Sequence, residues 1–376
     1  MTNTTLTQRD LKQWQTYAEI HSQPAIWRAW APELTRHIST IHEWLREKNH
    51  DEVWFCGAGT SAFIGQAVAF YMNSHSPLAR FRSVATTDFV AQPGSFLRQQ
   101  GKLLVVSFGR SGNSSESIGT LDALDVLRPG FDRLHITCNA QGVLATRSAP
   151  GPGELRTVIL PAQTDDAGFA MTSSYTTMLL TALACFDMQA PQPVSEMLCR
   201  LADAGEALLR SFAAQPAGSW TGPERAVFLG SGVLLAVARE SALKVMELTS
   251  GQVPTLWDST LGFRHGPKAF FTSRSCAYVL ISSDPHTQRY DLDLAQEIRR
   301  QYGENTVVTI GSSPDCNFKL PTIGNDGWTA VLYVLQAQHL AMEWSHARGL
   351  NVDDPFAGKN LTRVVSGVTL YPLILK

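Results

Sequence analysis

Residues 52–61, EVWFCGAGTS, decide the fold class. Residues 52–56 are a short, mostly apolar run typical of a buried strand, and residues 57–61 form a Gly-rich turn that leads into a helix of small residues. A second strand at 102–107 ends in another Gly- and Ser-rich turn, and further strands are predicted at 134–138 and 157–160. Because apolar strands alternate with helices, we expect an α/β fold whose mostly parallel sheet is covered by helices on both faces.

The second half of the sequence repeats this layout. Residues 226–229 form a strand that runs into Gly230-Ser231-Gly232 and a helix, and further strands are predicted at 277–282 and 306–311. Both halves therefore open with a strand, a Gly-Ser turn and a helix, which predicts two α/β domains of similar layout. The predicted organisation is N-terminal helices at 1–48, a first domain at 49–213, a second domain at 214–350 and a C-terminal tail at 351–376.

Helices are predicted around these strands and at the N-terminus. Residues 7–48 are expected to form two helices, because apolar residues recur at helical spacings on either side of a break at Gln23-Pro24. The tail is expected to be an arm with a strand-like end that packs on another part of the protein. The other long helices are predicted at 168–187, 194–212, 290–302 and 328–348.

The composition is that of an ordinary soluble globular protein and argues against nucleic-acid or membrane partners. Of 376 residues, 44% are hydrophobic and 17% are charged, and 31 Lys and Arg against 33 Asp and Glu leave a net charge of −2. The sequence shows no signal-peptide core and no membrane-spanning run, so we expect a cytoplasmic protein. The six cysteines contain no CxxC pair and are expected to be reduced thiols, mostly in or near the cores.

The stretch 239–267, RESALKVMELTSGQVPTLWDSTLGFRHGP, carries groups suited to proton transfer. Its first part predicts a helix, on which Glu240, Lys244 and Glu247 fall within about 60° of one another. His265 follows in a loop restrained by a proline, and a carboxylate, an amine and an imidazole together suit acid–base chemistry. The alternative, which the stretch by itself favours, is a surface helix with an ordinary ion pair and a solvated His. The opposite helix face is expected to pack through Ala238, Ala242, Val245 and Met246.

Two turns at predicted strand ends are suited to an anion. In an open α/β sheet, ligands lie beyond the carboxyl ends of the strands, and free backbone N–H groups at a helix start favour negative charge. The turns at 57–61 and 109–114 both have this position, and neither contains an Asp or Glu. Ser-rich turns also arise as plain helix caps, but two in succession favour a phosphate ligand. The candidate phosphate-binding residues are Ser61, Arg110, Ser111 and Ser114.

Nucleotide binding is a less favoured interpretation of the same turns. Residues 57–62, GAGTSA, match the dinucleotide pattern GxGxxA, but the nearest acid after a second strand, Asp88, comes later than the ribose-binding acid should. A P-loop is poorer still, because no GxxxxGK[ST] occurs. A dinucleotide-dependent oxidoreductase therefore stays a minor alternative.

These motifs together resemble the double-domain form of the sugar isomerase (SIS) family. Two of them, 240–247 and 264–267, resemble the isomerase domain of glucosamine-6-phosphate synthase, and their combination is fairly specific. The resemblance extends over nearly the whole chain from Tyr17. The segments that carry it are 19–24, 59–61, 110–114, 240–247, 264–267, 360–363 and 368–370.

The sequence departs from that synthase in ways that point to a subgroup. It contains no N-terminal Cys glutaminase domain, so glutamine-driven synthesis of an amino sugar is not expected. Arg110 and Gly109 stand where Gln and Ser are common, so the phosphate contacts are expected to differ in detail. The length and Trp257-Asp258-Ser259 resemble the subgroup named tagatose-6-phosphate ketose/aldose isomerase, whose members look like the galactosamine-6-phosphate deaminase/isomerases known as AgaS.

The resemblance implies a deaminating isomerisation of an amino-hexose 6-phosphate that needs no metal or cofactor. The best match is galactosamine 6-phosphate giving tagatose 6-phosphate and ammonia. It implies that His265 opens the sugar ring and that Glu247 moves a proton from C2 to C1, with Lys244 as a supporting charge. In relatives the His comes from the neighbouring subunit, which implies a homodimer with shared active sites. Further candidates for substrate contacts are Thr60, Glu240 and Arg363.

Two alternatives use the same fold. One is a plain ketose/aldose 6-phosphate isomerase that releases no ammonia, and the other is a non-catalytic sugar-phosphate sensor. A Glu and a His that can transfer protons argue against a sensor, since binding alone would not require them. Single hydroxyl contacts in the pocket set the choice of C4 epimer.

Overall fold

A computed structural model describes residues 11–77, 79–97, 101–190, 192–213, 222–356, 358, 361–365 and 367–371. Strands and helices alternate along this part of the chain. The strands are β1 (Glu52–Gly57), β2 (Arg80–Ala85), β3 (Leu103–Gly109), β4 (Asp132–Thr137), β5 (Leu155–Ile159), β6 (Arg225–Leu229), β7 (Thr255–Asp258), β8 (Ser275–Leu280), β9 (Val307–Gly311) and β10 (Phe318–Lys319). The helices are α1 (Gln15–Lys48), α2 (Thr60–His75), α3 (Thr86–Ala91), α4 (Ser115–Leu127), α5 (Val143–Thr146), α6 (Ser173–Phe186), α7 (Val194–Ala213), α8 (Val233–Leu248), α9 (Pro285–Tyr302) and α10 (Asp326–Ala347).

The strands form two parallel sheets with the same topology. The first has the order β2-β1-β3-β4-β5 and the second the order β10-β9-β8-β6-β7, which is the same arrangement when read from β7. Every pair of neighbouring strands is parallel. The predicted fold class, two α/β domains of similar layout, is therefore confirmed.

Burial explains which strands could be recognised from the sequence. All residues of β1 and β8 are buried, as are nearly all of β3, β4 and β6, because helices cover both faces of a parallel sheet. The sequence analysis missed β2, β7 and β10, which are all edge strands. Strand β2 mixes buried and more exposed residues, β7 is mostly half-buried, and β10 has only two residues. None of the three therefore forms a continuous apolar run.

The chain divides into two compact units that do not follow its order. Unit 1 comprises the described parts of Met1–Ala31, Asp166–Thr176 and Pro191–Leu361 and contains the second sheet. Unit 2 comprises those of Pro32–Asp165, Thr177–Ala190 and Thr362–Lys376 and contains the first sheet. The boundaries predicted at 48, 213 and 350 stay a prediction, and residues 214–221 lie outside the described residues.

The predicted break at Gln23-Pro24 is wrong, because α1 continues through Pro24 as one helix. A proline inside a helix has no N–H to donate and leaves the carbonyl four residues earlier without its partner. Here the side-chain Nε2 of Gln23 donates to that carbonyl, the O of Ile20, at 3.2 Å. The same amide group lies 2.7 Å from Oε1 of Gln338, so the residue before the proline supplies the missing donor from a buried network.

Two helices begin at residues other than those predicted, 173 instead of 168 and 285 instead of 290, and a local contact explains each difference. Helix α6 begins at Ser173 because the carboxylate of Asp166 accepts the backbone N–H groups of Ser173 and Ser174, each at 3.0 Å. Helix α9 begins at Pro285, where Asp284 accepts two backbone N–H groups of the first turn. Such side-chain acceptors at a helix start compensate the N–H groups that have no partner within the helix.

The C-terminal arm packs on other parts of the chain, as expected: its described residues up to Leu361 belong to unit 1 and those from Thr362 belong to unit 2, and none of them forms a strand. Nη2 of Arg110 donates to the backbone O of Arg363 at 3.1 Å, and a side chain on Gly119 would meet Leu370 at 2.6 Å. Residues 361–365 and 367–371 have no regular secondary structure. Asn360 and residues 372–376 lie outside the described residues.

The cysteine prediction is confirmed. All six cysteines are free; five are buried and Cys199 is half-buried. Among the described residues, no helix is both long enough and apolar enough to cross a bilayer.

Glu19 on α1 is buried in unit 1 and holds the loop that precedes α6. Its Oε1 accepts the backbone N–H groups of Ala167 at 2.6 Å and Gly168 at 3.0 Å. Burial, the largest cause, and the neighbouring carboxylates of Asp166 and Asp353 raise the pKa of Glu19, the two N–H groups lower it, and the net result is a pKa of about 7. A carboxyl group of this kind favours its protonated form in the folded protein.

Glu19 is therefore expected to make stability fall with pH. Its contribution is fully present below its ordinary pKa of 4.5 and is lost as the pH rises through about 7, because the unfolded chain ionises first. Relative to Glu19→Gln, the wild-type protein should lose on the order of 3 kcal/mol of unfolding free energy across this range. Urea unfolding at several pH values measures this difference. The exposed Glu43→Gln on the same helix is the control, and parallel curves for wild type and Glu19→Gln would contradict the expectation.

Candidate active site

Helix α8 brings three charged side chains of unit 1 into one row. The spacings of four and three residues place Glu240, Lys244 and Glu247 on one face, as predicted. Nζ of Lys244 lies 3.5 Å from Oε1 of Glu240 and donates to Oε2 of Glu247. The ammonium group is therefore held between two carboxylates.

The row runs from the interior of unit 1 to its surface. The side chains of Glu240 and Lys244 are 0% and 1% exposed, whereas that of Glu247 is 21% exposed. This excludes an ordinary surface ion pair, the alternative favoured by the stretch alone. Charges this deeply buried are tolerated only when they are paired, so the three groups depend on one another. Glu247 is the member of the row that a ligand can reach.

The opposite face of α8 packs as predicted, except at Met246. Ala238, Ala242 and Val245 are buried, but Met246 is 44% exposed. At 100° per residue, Met246 lies about 80° from Ala238 and so falls at the edge of the packed stripe. The predicted inclusion of Met246 in the packed face is therefore wrong.

Tyr175 on α6 is a neighbour of this row that the sequence analysis missed. Its side chain is fully buried, and burial together with the charge of Glu240 raises its pKa well above the ordinary value. The phenol is thus neutral, and its hydroxyl has no hydrogen-bond partner among the described residues. Nothing in the local sequence indicates that Tyr175 lies near Glu240, because the two residues are far apart in the chain.

Among the described residues, no side-chain hydrogen bond or ion pair joins His265 to the row. His265 follows a 3₁₀ turn at Gly262–Arg264, is exposed, and has no side-chain hydrogen bond or ion pair within the part of the chain described. The loop is fixed instead through Arg264, which bonds Asp293 and Glu297 on α9, each at 2.7 Å. The anchored loop therefore presents an imidazole at the surface of unit 1.

In unit 2, the two predicted phosphate turns meet at one place in the first sheet. Strands β1 and β3 are neighbours, with Cys56 opposite Ser107, and β2 lies on the other side of β1. The chain thus leaves this point toward both edges, and ligands of such sheets bind at the carboxyl ends of these two strands. The turn after β1 and the turn after β3 both begin at these carboxyl ends.

The turn after β1 is tight and holds its hydroxyls inside. Gly59 has φ of +54°, which favours glycine, and a Cβ on Gly57 would lie 2.6 Å from the backbone of Ser61. Thr60 and Ser61 begin α2 and are each 5% exposed. Glycine is therefore required at 57 for the helix start to approach β1, and it is favoured at 59 by the backbone conformation alone.

The turn after β3 is braced by the neighbouring strand. Oγ1 of Thr137 donates to the O of Gly109 at 2.7 Å, and Nδ2 of Asn139 donates to the O of Ser111 at 3.0 Å. Ser114 immediately precedes α4, and its hydroxyl donates to that of Ser117, in the first turn of the helix, at 2.8 Å. The sequence analysis missed Asn139, although its position just after β4 was an available signal.

Arg110 and Arg363 lie together in unit 2. Arg110 is 5% exposed and donates to the backbone of Arg363, whose own guanidinium lies 3.1 Å from Asp165. The guanidinium group of Arg110, in the Ser-rich turn after β3, is of a kind suited to a phosphate, whereas that of Arg363 is paired with Asp165. The structure thus brings one candidate substrate-binding residue, Arg363, next to a candidate phosphate-binding residue.

Comparison with known proteins agrees with these features. A SIS-domain model matches residues 46–188. The D-galactosamine-6-phosphate deaminase AgaS of Escherichia coli O157:H7 is 39% identical over 375 residues, which cover 95% of each chain. The chain belongs to the AgaS group of SIS-domain proteins. AgaS of Shewanella sp. strain ANA-3 is 37% identical over 96% of this chain and 92% of its own. The structure titled tagatose-6-phosphate ketose/aldose isomerase from Escherichia coli is 34% identical, covers 99% of both chains and has a TM-score of 0.84.

Removal of the central ammonium group is expected to destabilise the fold. Lys244→Met leaves the carboxylate of Glu240 buried without its ion pair, and such a loss typically costs about 3–5 kcal/mol. Lys48→Met is the matched control, because Lys48 and Glu154 form a partly exposed surface pair whose loss should cost much less than that of a buried pair. Urea unfolding compares the two variants. Equal losses of unfolding free energy would contradict the interdependence of the row.

Proposed function

We propose that the protein converts galactosamine 6-phosphate to tagatose 6-phosphate and ammonia without a cofactor. The observation that carries the proposal is 39% identity to a D-galactosamine-6-phosphate deaminase across 95% of both chains. The buried row on α8 supports it, because deamination by isomerisation needs a group that accepts and returns a proton. A cytoplasmic location, as expected from the sequence, is part of the same proposal.

The proposed reaction moves one proton between adjacent carbons. After ring opening by His265, Glu247 takes the C2 proton of the open-chain amino aldehyde, which leaves an enolamine. The carboxyl then returns a proton to C1, and the product is a ketimine at C2. Water adds to the ketimine, ammonia leaves, and the ketose 6-phosphate remains.

The positions of the row support separate roles for its members. Glu247 has the only side chain of the three with appreciable exposure, at 21%, so we assign it the proton transfer. Lys244 supplies a fixed positive charge that stabilises negative charge as it develops on the substrate oxygen. Glu240 is fully buried behind Lys244 and is assigned an orienting role instead of a substrate contact.

The turns of unit 2 are assigned to the 6-phosphate. Their position at the carboxyl ends of β1 and β3, before the starts of α2 and α4, and the guanidinium group of Arg110 support this assignment. The assigned residues are Ser61, Arg110, Ser111 and Ser114, with Thr60 and Arg363 as further contacts.

A plain ketose/aldose isomerase is the second candidate, because a solved structure of that title is 34% identical over 99% of both chains.

The deaminase proposal predicts equal amounts of ammonia and ketose from galactosamine 6-phosphate. Glu247→Gln should lower kcat about 10²–10⁴-fold, whereas the exposed Glu304→Gln should not. Coupled assays for ammonia and for tagatose 6-phosphate measure both products. Ketose formed from a neutral aldose 6-phosphate, with no ammonia from either amino-sugar epimer, would replace the proposal with the second candidate.

We also propose that the active protein is a homodimer in which His265 serves the neighbouring chain. The exposure of His265 and the lack of any described side-chain hydrogen bond or ion pair between it and the row on α8 support this arrangement. A dimer with twofold symmetry would then contain two sites, each built from both chains.

Mixing two inactive variants tests this arrangement. Glu247→Ala and His265→Ala each lack one group, but a heterodimer of the two has one complete site. Random reassociation of equal amounts should restore about a quarter of the wild-type activity, since half of the dimers are mixed and each has one of two sites intact. Two affinity tags show that heterodimers form. Heterodimers without activity would exclude site sharing.

A further inference from the structure

The place between the carboxyl ends of β6 and β8 in unit 1, which we call the crevice, corresponds in topology to the proposed phosphate site of unit 2. In the second sheet β6 lies between β7 and β8, as β1 lies between β2 and β3 in the first. The chain therefore leaves β6 toward both edges, and the carboxyl ends of β6 and β8 are the place where such a sheet binds ligands.

The turns that open the two helices have the same backbone conformation. Gly232, before α8, has φ and ψ of 58° and −124°, and Gly59, before α2, has 54° and −128°. A Cβ on Gly230 would lie 2.5 Å from Leu234, just as one on Gly57 would clash with the residue four positions later. The two turns are therefore equivalent, with a constant offset between their residue numbers.

The side chains of the equivalent turn are different. The hydroxyl residues Thr60 and Ser61 of unit 2 correspond to Val233 and Leu234 in unit 1. The hydrogen-bond donors at this place in unit 1 bind a carboxylate of the chain itself, that of Asp291. Asp291 is 0% exposed, and its carboxylate accepts bonds from both sides of the crevice.

Three donors converge on the carboxylate of Asp291. The hydroxyl of Ser231, in the turn after β6, lies 2.9 Å from Oδ1, and that of Thr260 is also at 2.9 Å. The backbone N–H of Ser282, which follows β8, donates to Oδ2 at 3.0 Å. The two loops that meet at the carboxyl ends of β6 and β8 thus bind the same anion.

We propose that the carboxylate of Asp291 fills, in unit 1, the position that a ligand phosphate takes in unit 2, so that each chain binds one sugar phosphate. This inference goes beyond the proposed function, although its comparison rests on the phosphate site proposed for unit 2.

A second carboxylate closes the crevice to other anions. Asp326 accepts the backbone N–H of Ser283 at 2.8 Å and the hydroxyl of Ser282 at 2.5 Å. Burial raises the pKa of Asp291, and the charge of Asp326 adds to this effect. A phosphate that entered would meet two carboxylates and would have no donor left for it among these groups.

The two units are thereby specialised in complementary ways. With the turns aligned, the positions of Glu240, Lys244 and Glu247 in α8 correspond to Ala67, Tyr71 and Ser74 in α2. Unit 2 therefore has the anion turns without the charged row, and unit 1 has the row with its anion crevice filled by the chain. One repeat binds the substrate's phosphate and the other carries the acid–base groups.

Chemical rescue by formate tests the occupant of the crevice. Asp291→Ala removes one carboxylate, which formate matches in size and charge, so formate should stabilise this variant. At a concentration ten times its dissociation constant, formate should raise the folding equilibrium constant about elevenfold. The measurement is Tm in sodium formate against sodium chloride at equal ionic strength.

Asp284→Ala is the matched control, because Asp284 is an exposed aspartate at the start of the same helix. Its Tm and that of the wild type should respond equally to the two salts. A response of Asp291→Ala no larger than theirs would overturn the inference.

Phosphate stoichiometry tests the same inference without a change in the crevice, should Asp291→Ala fail to fold. Calorimetric titration of the wild type with inorganic phosphate should give one site per chain, and Arg110→Ala should lose it. Two sites per chain, or a site that persists in Arg110→Ala, would overturn the inference. No binding at all would overturn the phosphate site of unit 2 and the count of one sugar phosphate per chain, whereas the formate response of Asp291→Ala would still decide whether Asp291 fills an anion position.

Discussion

The ammonium group of Lys244, held between two carboxylates on one helix face, is the interaction on which the active-site account depends. A lysine buried to 1% exposure needs opposite charge beside it, and Glu240 supplies this from a fully buried position. The pairing leaves Glu247 as the outer end of the row. One structural requirement, the compensation of a buried charge, therefore also decides which carboxylate can meet a substrate.

The row lies on the first helix of one of two similar sheet repeats. Each has the same strand order, and each begins with a strand, a tight Gly turn and a helix. In unit 2 this turn contains the hydroxyls of Thr60 and Ser61, and its strand is paired with β3, which precedes Arg110. In unit 1 the corresponding turn bonds Asp291 through Ser231, and α8 carries the charged row further along. In the proposed function, one repeat of the fold binds the phosphate and the other carries the acid–base groups, and we infer that the chain itself fills the second anion position.

The sequence was informative where local pattern and burial coincide. Strands β1 and β3, buried on both faces, and the spacing of Glu240, Lys244 and Glu247 could be recognised directly. The edge strand β2 and the continuation of α1 through Pro24 could not, because one lacks an apolar run and the other depends on a side-chain donor. Asp291 and Tyr175 were missed because their partners lie far away in the chain, so only the folded structure brings them together.

The most direct test of the central claim is hydrogen exchange during turnover in D₂O, followed by NMR of the sugar phosphate. If Glu247 carries the proton and Glu240 only orients Lys244, Glu240→Gln should still incorporate deuterium at C1 of the ketose, at a reduced rate. Glu247→Gln should incorporate deuterium about 10²–10⁴-fold more slowly than the wild type and should leave nearly all of the C2 hydrogen of the substrate in place. Incorporation by Glu247→Gln at the wild-type rate together with its loss in Glu240→Gln would contradict the account, because the buried carboxylate would then be the base.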